Sequence, residues 1–376
     1  MIKIDLKNIE KAPNDWSEVF DYREDLEKLR SEVNKISPEI KNVISVGNGG
    51  SITSFDAYIH ALSPQKDAVS VWTMDPFYLK KIKERFDPKD TIVVAVSKSG
   101  NTLGQIEALL DFTEYPIAVV TNLEGGTLLE MAKVMSWSVI EHPTVGGRFS
   151  GGTSSTFASA MLCGIDVKGI QEGMIEGYKL KDEAYTLSKY YYELEKEGKS
   201  EVYVTCYSES LAGFENLIVQ LMHESACKDG KGQTFYFSMG PEAQHHTNQR
   251  FLGGKDNVIG TFIVNDSNDN AKIVVADELK EIDYKGKKLS LINDVKYQQA
   301  LEAEYLGTKQ DADEKKVPNV TINVGNVNAK TVGQLVSFWH LVAFYSSIIR
   351  EVNPFDQPAV ERSKNITMEI IEKLKK

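Results

Sequence analysis

Short apolar runs alternate with segments of helical apolar spacing through the first half of the chain. The runs that predict strands lie at residues 42–46, 68–73, 91–96, 117–121 and 134–140. The segments that predict helices lie at 51–62, 77–86 and 154–162, and further helices begin at Thr102 and Thr127. Continuously apolar strands separated by helices indicate a parallel sheet that is covered on both faces.

The same pattern begins again at Glu201, with strands predicted at 202–207, 233–238, 258–264 and 319–324 and helices at 211–227 and 331–351. One or two polar helices are predicted at 168–199, and an opening helix at 22–36 ends at Ser37-Pro38. At 376 residues the chain is long enough for two domains. We therefore predict an N-terminal helical segment (1–38), a first α/β domain (39–167), connecting helices (168–200), a second α/β domain (201–328) and a C-terminal helical segment (329–376).

Charge and cysteine content argue against several classes of partner. The net charge is −11, whereas phosphate backbones of nucleic acids bind basic surfaces. No stretch approaches the ~18 apolar residues of a membrane span, and the N-terminus lacks the apolar core of a signal peptide. The three cysteines, Cys163, Cys206 and Cys227, are far apart and form neither a disulfide framework nor a metal-ligand spacing. These features predict a reduced, cytoplasmic protein that binds neither membranes nor nucleic acid.

Three loops follow predicted strands, where open α/β sheets bind ligands. The loops at 47–51 and 97–102 each open a helix, and backbone N–H groups at a helix N-terminus bind phosphate. The second loop also carries three hydroxyls and Lys98, more than a plain helix cap needs. The third loop, at 146–150, places Arg148 beside two glycines that allow a close approach to a ligand. A dinucleotide site fits poorly, because the third glycine of that pattern falls at Ile52.

The second half offers carboxylate, imidazole and ammonium groups. Glu224 ends a helix with an apolar face and suits a general base, although a glutamate in this place is commonly a solvated side chain. His245 and His246 follow Glu242 and raise the alternative of a metal site, but adjacent histidines do not easily share one ion. The segment 353–357 leaves the last long helix through a proline, and Lys364 follows in a stretch of mixed charge.

In their order along the chain, six motifs resemble those of the phosphoglucose isomerase (glucose-6-phosphate isomerase) family, whose members contain two sugar-isomerase (SIS) domains. The motifs lie at 47–51, 97–102, 145–150, 220–228, 244–254 and 353–364. The resemblance implies two flavodoxin-like, parallel-sheet α-β-α sandwich domains with a C-terminal helical extension. It also implies an aldose–ketose isomerase of sugar phosphates that needs no metal or organic cofactor. Such an enzyme is expected to be a homodimer whose active site is shared between subunits.

The resemblance also assigns roles to residues of these motifs. Glu224 matches the base that moves the proton between C1 and C2, and Arg148 matches the arginine beside the enediolate. His245 and Lys364 match the residues that assist ring opening. The remaining matches are substrate- and phosphate-binding positions, namely Gly50, Ser51, Ser97, Lys98, Ser99, Thr102, Gly147 and Gln357.

Two departures from the family pattern leave the substrate range open. Cys227 stands where the family has glycine, and Gly100-Asn101 makes the phosphate loop more similar to generic SIS proteins. One alternative is therefore a bifunctional phosphoglucose/phosphomannose isomerase or another SIS sugar-phosphate isomerase. A second alternative is a regulator that binds a sugar phosphate without catalysis. Such a regulator would need the phosphate loop but not Glu224, His245 and Lys364 together.

Overall fold

The computed structural model describes residues 2–36 and 40–374. Its strands, in chain order, are β1 (Lys3–Ile4), β2 (Asn42–Val46), β3 (Asp67–Val71), β4 (Thr91–Ser97), β5 (Ile117–Thr121), β6 (Ser138–Glu141), β7 (Glu201–Tyr207), β8 (Thr234–Met239), β9 (Val258–Asp266), β10 (Asp283–Tyr284), β11 (Lys287–Lys288) and β12 (Asn319–Asn326). Its α-helices are α1 (Leu26–Asn34), α2 (Thr53–Leu62), α3 (Pro76–Arg85), α4 (Leu103–Leu110), α5 (Thr127–Met135), α6 (Ser154–Leu162), α7 (Val167–Gly177), α8 (Lys181–Lys196), α9 (Phe214–Ala226), α10 (Thr247–Gly253), α11 (Tyr297–Glu314), α12 (Ala329–Ile349) and α13 (Glu361–Leu374).

The strands form two five-stranded sheets and one small hairpin, β10-β11. The first sheet has the order β3-β2-β4-β5-β6, and all of its strands are parallel. The second sheet has the order β1-β12-β9-β7-β8 and is parallel except at β1, which pairs antiparallel with β12. In the first sheet the chain order reverses between β2 and β4. Ligands of open α/β sheets bind outside the carboxyl ends of the strands at such a reversal.

Most predicted elements are confirmed, and strands β2 and β5 have the predicted bounds. The prediction of a strand at 134–140 was wrong for its first residues, because residues 134 and 135 end helix α5 and strand β6 begins at Ser138. Helix α11 was not predicted, since its segment is highly charged and buries only Thr308 and Ala312. The opening helix is shorter than predicted because Asp25 caps its first turn, and Ser37-Pro38 lie outside the described residues. The division into domains stays a prediction.

Helix α12 is almost entirely buried and packs against α7, α8 and α9. Helices α7 and α12 approach each other closely at two glycines. A Cβ on Gly173 would lie 1.9 Å from the carbonyl oxygen of Lys330, and one on Gly333 would lie 2.1 Å from that of Ile170. Although no membrane span was expected, α12 is the one helix of the described residues whose length and composition would allow it to cross a membrane. Its most apolar stretch is 89% buried inside the protein, so core packing accounts for that composition.

Candidate functional site

An ion pair between Arg148 and Glu224 joins the two halves of the molecule. Arg148 Nε lies 2.9 Å from Glu224 Oε2. The arginine side chain is only 4% exposed, whereas 28% of the glutamate side chain remains accessible. Arg148 follows the first sheet, and Glu224 lies in the last turn of α9 in the second half. A buried, fixed cation therefore faces a carboxylate that a small molecule can still reach.

Glycines explain how the arginine loop comes so close to the loop after β2. Gly147, Arg148 and Phe149 form a short 3-10 turn, and Gly49, Gly50 and Ser51 form another. A Cβ added to Gly50 would lie 2.1 Å from the carbonyl carbon of Gly147, so no other residue fits there without a shift. The two loops expected to bind substrate are thus in backbone contact at Gly50 and Gly147, with Ser51 half-buried beside them.

The Arg148 guanidinium is held by the segment that follows α12. Its Nη1 donates to the carbonyl oxygen of Pro354 at 3.2 Å, and its Nη2 donates to that of Asp356 at 3.0 Å. Nη2 also donates to Gln357 Oε1, a predicted binding residue. Burial lowers the pKa of Arg148 from its ordinary value, while the charge of Glu224 opposes that shift. The planar guanidinium bonds separate acceptors through its three nitrogens, whereas the donors of a lysine all lie on one nitrogen.

Lys228 fastens this segment to the end of α9. Its Nζ lies 3.0 Å from Asp356 Oδ1, and it donates to the carbonyl oxygens of Ser225 and Asn353. Sequence analysis assigned Lys228 no role, although it lies within the motif at 220–228. Lys228 lies two residues beyond the end of α9, and its contact with Asp356 joins segments that are distant in sequence, so no local pattern indicated its role.

A second side chain that sequence analysis missed holds the other oxygen of Glu224. Gln220 Nε2 donates to Glu224 Oε1 at 3.0 Å, one helical turn away on α9. Gln220 Oε1 in turn accepts from Thr53 Oγ1 at 3.0 Å, at the start of α2. Both oxygens of the carboxylate therefore have a donor, Gln220 on one side and Arg148 on the other.

The loop at 97–102 has the features expected of an anion site. Ser97 Oγ lies 3.2 Å from Thr102 Oγ1 and accepts from the backbone N–H of Gly100, which has φ +67°. Thr102 occupies the N-cap position of α4, yet its side chain makes no capping hydrogen bond. The alternative of a plain hydroxyl cap is therefore weakened at this residue. Ser99 and Lys98 are exposed, and Lys98 Nζ donates to the carbonyl oxygen of Thr144 at 2.8 Å.

Two predicted catalytic residues are not brought to the ion pair within one chain. His245 ends a short 3-10 turn after β8 and is exposed, and no hydrogen bond joins it to Glu224 or Arg148 in the described residues. Lys364 lies on α13, a helix without buried residues, and its Nζ donates to Glu361 at 2.7 Å. The roles of both residues stay predictions. Among the described residues, no three His, Cys, Asp or Glu side chains are grouped to hold a metal ion.

The chain is similar in sequence to curated glucose-6-phosphate isomerases. It is 29% identical over 369 residues to the glucose-6-phosphate isomerase of Methanocaldococcus jannaschii, and the alignment covers 93% of this chain and 88% of the relative. It is 28% identical over 369 residues to a probable glucose-6-phosphate isomerase of Methanococcus maripaludis, which covers 90% of this chain and 81% of the relative. No protein-family model matches the chain.

Solved structures share the fold. A hypothetical protein from Thermus thermophilus matches with a TM-score of 0.82 at 23% identity, covering 94% of this chain and 89% of that one. A glucose-6-phosphate isomerase from Chlamydia trachomatis matches with a TM-score of 0.73 at 19% identity, covering 93% of this chain and 73% of that one. The fold class predicted from the sequence, with parallel sheets and a helical C-terminal segment, is confirmed.

Proposed function

We propose that this chain, which resembles the glucose-6-phosphate isomerases over most of its length, interconverts glucose 6-phosphate and fructose 6-phosphate through an enediolate. The observation that carries the proposal is the contact of 2.9 Å between Arg148 Nε and Glu224 Oε2 beside the loop that follows β2. An aldose–ketose isomerase needs a base and a fixed cation within reach of the same two carbon atoms. This pair supplies both. We expect the reaction to serve glycolysis and gluconeogenesis in the cytoplasm.

Glu224 supplies the proton transfer. The reaction removes a weakly acidic proton from C2 of the open-chain aldose and returns it to C1, and the reverse reaction moves it back. One carboxylate suits this task because its oxygens reach both neighbouring carbons. The Glu224 side chain is 28% exposed, so a substrate can reach it. A positioned base of this kind contributes typically 10²–10⁴-fold to the rate.

Arg148 supplies the stabilisation of negative charge. Removal of the proton leaves an enediolate oxygen, and a preorganised cation in a water-poor site stabilises it without reorganisation. Arg148 meets both conditions, because its side chain is 4% exposed and its other donors are held by Pro354, Asp356 and Gln357. As the charge moves from Glu224 to the substrate oxygen, the guanidinium can exchange one anionic partner for another.

The remaining residues have supporting roles in this proposal. The loop with Ser97, Lys98, Ser99 and Thr102 binds the phosphate, and its binding energy orients the sugar over Glu224. Gly50, Ser51, Gly147 and Gln357 line the sugar, while His245 and Lys364 exchange the protons of ring opening. Histidine suits that exchange because its ordinary pKa lies near neutral pH. No step needs a metal or an organic cofactor.

The purified protein should convert glucose 6-phosphate to fructose 6-phosphate, in both directions, with full activity in the presence of a metal chelator. A coupled assay that offers glucose 6-phosphate and mannose 6-phosphate separately measures the substrate range, because Gly100-Asn101 leaves that range open. Turnover of both sugars would make the enzyme bifunctional. Binding of glucose 6-phosphate without turnover of either sugar would instead favour the regulator. Activity that disappears in chelator and returns with zinc would refute the metal-free mechanism.

The protein should be a homodimer in which His245 completes the active site of the partner subunit. His245 is exposed and makes no hydrogen bond to Glu224 of its own chain within the described residues, which supports this proposal. Glu224→Gln and His245→Ala should each be inactive, but a mixture with exchanged subunits should recover about a quarter of wild-type activity, since a two-fold dimer holds two equivalent sites.

The complementation experiment has a matched control in the neighbouring histidine. His246 is also exposed, and in the described residues its ring bonds only to Thr247 Oγ1, so His246→Ala should stay active. Subunit exchange is verified with two differently tagged variants. If exchange occurs and activity does not return, His245 acts within its own subunit. A monomer in sedimentation at micromolar concentration would exclude the shared site.

A further inference from the structure

We propose that Thr53 is a positioning residue for the reaction, which acts through Gln220 on the base Glu224. The inference rests on the function proposed above. Thr53 is the first residue of α2 in the first half, whereas Gln220 and Glu224 lie one turn apart on α9 in the second half. Two hydrogen bonds of 3.0 Å connect the three side chains in a line.

The direction of each hydrogen bond follows from the chemistry of the groups. The Glu224 carboxylate only accepts, so Gln220 must present its NH₂ group to it. The carbonyl oxygen of Gln220 then points to Thr53, whose hydroxyl is the donor. If the amide turned over, its oxygen would face the carboxylate and two acceptors would oppose each other. The carboxylate therefore fixes the orientation of the amide, and the Thr53 hydroxyl donates to the carbonyl oxygen and holds the amide in that orientation.

The surroundings of this relay restrict it to that arrangement. Thr53 is 6% exposed, so water competes little for its hydroxyl. Gly49, with φ +56°, lies beside the amide, and a Cβ there would come within 2.8 Å of Gln220 Nε2. Gly49 adopts a left-handed backbone conformation and has no side chain, so it leaves space for the Gln220 amide.

The relay matters most after the substrate is bound. In the structure, Glu224 Oε2 pairs with Arg148 and Oε1 with Gln220. When Arg148 turns to the developing enediolate, its hold on the carboxylate weakens, and Gln220 becomes the contact that keeps Glu224 aligned with both carbons. Loss of the Thr53 donor should therefore affect turnover rather than phosphate-driven binding, because misalignment of a catalytic group acts on the transition state.

The test compares Thr53→Val, which keeps the shape and removes the donor, with Thr53→Ser, which keeps the donor. For Thr53→Val we expect kcat to fall roughly two- to tenfold, the value of one hydrogen bond, with KM within about twofold of wild type. Thr53→Ser should restore most of the loss. In the Gln220→Leu background, Thr53→Val should have no further effect on kcat, because the relay is already broken.

Thr186→Val is the matched control. Thr186 is also buried, at 7% exposure, and its hydroxyl donates to the carbonyl oxygen of Asp182, on a helix that carries no site residue. This variant should keep wild-type kcat. If Thr53→Val does not fold, as judged by circular dichroism, Thr53→Ala carries the same comparison. If the wild type is active and the Thr53 variants keep its kcat, the inference about Thr53 is overturned but the proposed function is not. If the wild type is inactive, the proposed function itself is overturned.

Discussion

Glu224→Gln should lower kcat by about 10²–10⁴-fold, because the amide keeps the shape of the side chain but cannot take up the proton. Binding of the sugar phosphate should change little, since the loop at 97–102, which we propose binds the phosphate, does not include Glu224. The measurement is a coupled isomerase assay, together with calorimetric titration of glucose 6-phosphate into the variant. Near-normal turnover would remove Glu224 from the mechanism.

Glu215→Gln is the control for this substitution. Glu215 lies on the same helix α9, but it is exposed and is more than two turns from Glu224. The same change of charge and shape is thereby made on the same helix, outside the ion pair with Arg148. Glu215→Gln should keep wild-type kcat and KM, so an equal loss in both variants would point to damage to the helix rather than to loss of the base.

Arg148→Lys should lower kcat by about 10²–10³-fold, the usual cost of removing a preorganised donor to a developing oxyanion. Lysine keeps the charge, but its donors all lie on one nitrogen and cannot replace the three guanidinium nitrogens that bond Glu224, Pro354 and Asp356. The acceptors left without partners should also lower the free energy of unfolding by about 1–3 kcal/mol. Steady-state kinetics and urea unfolding measure the two effects separately.

Arg85→Lys is the corresponding control. Arg85 pairs with Asp67 at the surface, where its side chain is 54% exposed. Exposed ion pairs contribute little to stability, so this variant should differ from wild type by less than about 1 kcal/mol. Wild-type turnover of Arg148→Lys would show that the enediolate is stabilised by another group.

The local patterns of the chain were enough to predict most of the fold. The strands at 42–46 and 117–121 are short and continuously apolar, and nothing in their neighbourhood competes with that pattern. Helix α11 was not predicted because its packed face combines the small buried side chains of Thr308 and Ala312 with the partly buried Leu301 and Tyr305, within a charged segment. Hydrophobic periodicity detects a helix by its apolar stripe, and the charged residues obscure that stripe here.

Only those site residues that belong to recognisable sequence motifs could be predicted. Arg148, Glu224 and Gln357 were named from their motifs, and in the structure Arg148 contacts both of the others. Thr53 was not named, because its contact with Gln220 spans 167 residues of sequence and no local pattern records such a pairing. Lys228 was missed for the same reason, since its partner Asp356 belongs to a distant segment. The placement of His245 and Lys364 in an assembled site stays a prediction.

The two hydrogen bonds from Arg148 to backbone carbonyl oxygens have a consequence for the biosynthesis of the protein. Their acceptors, Pro354 and Asp356, lie 206 and 208 residues after the arginine. Chains fold from the N-terminus as they leave the ribosome, so the first sheet can form while these acceptors have not yet been translated. A nascent chain thus carries the arginine loop without its final partners while about 200 further residues are added. A chain that is truncated before Pro354 should therefore still form its first sheet but leave Arg148 without these acceptors.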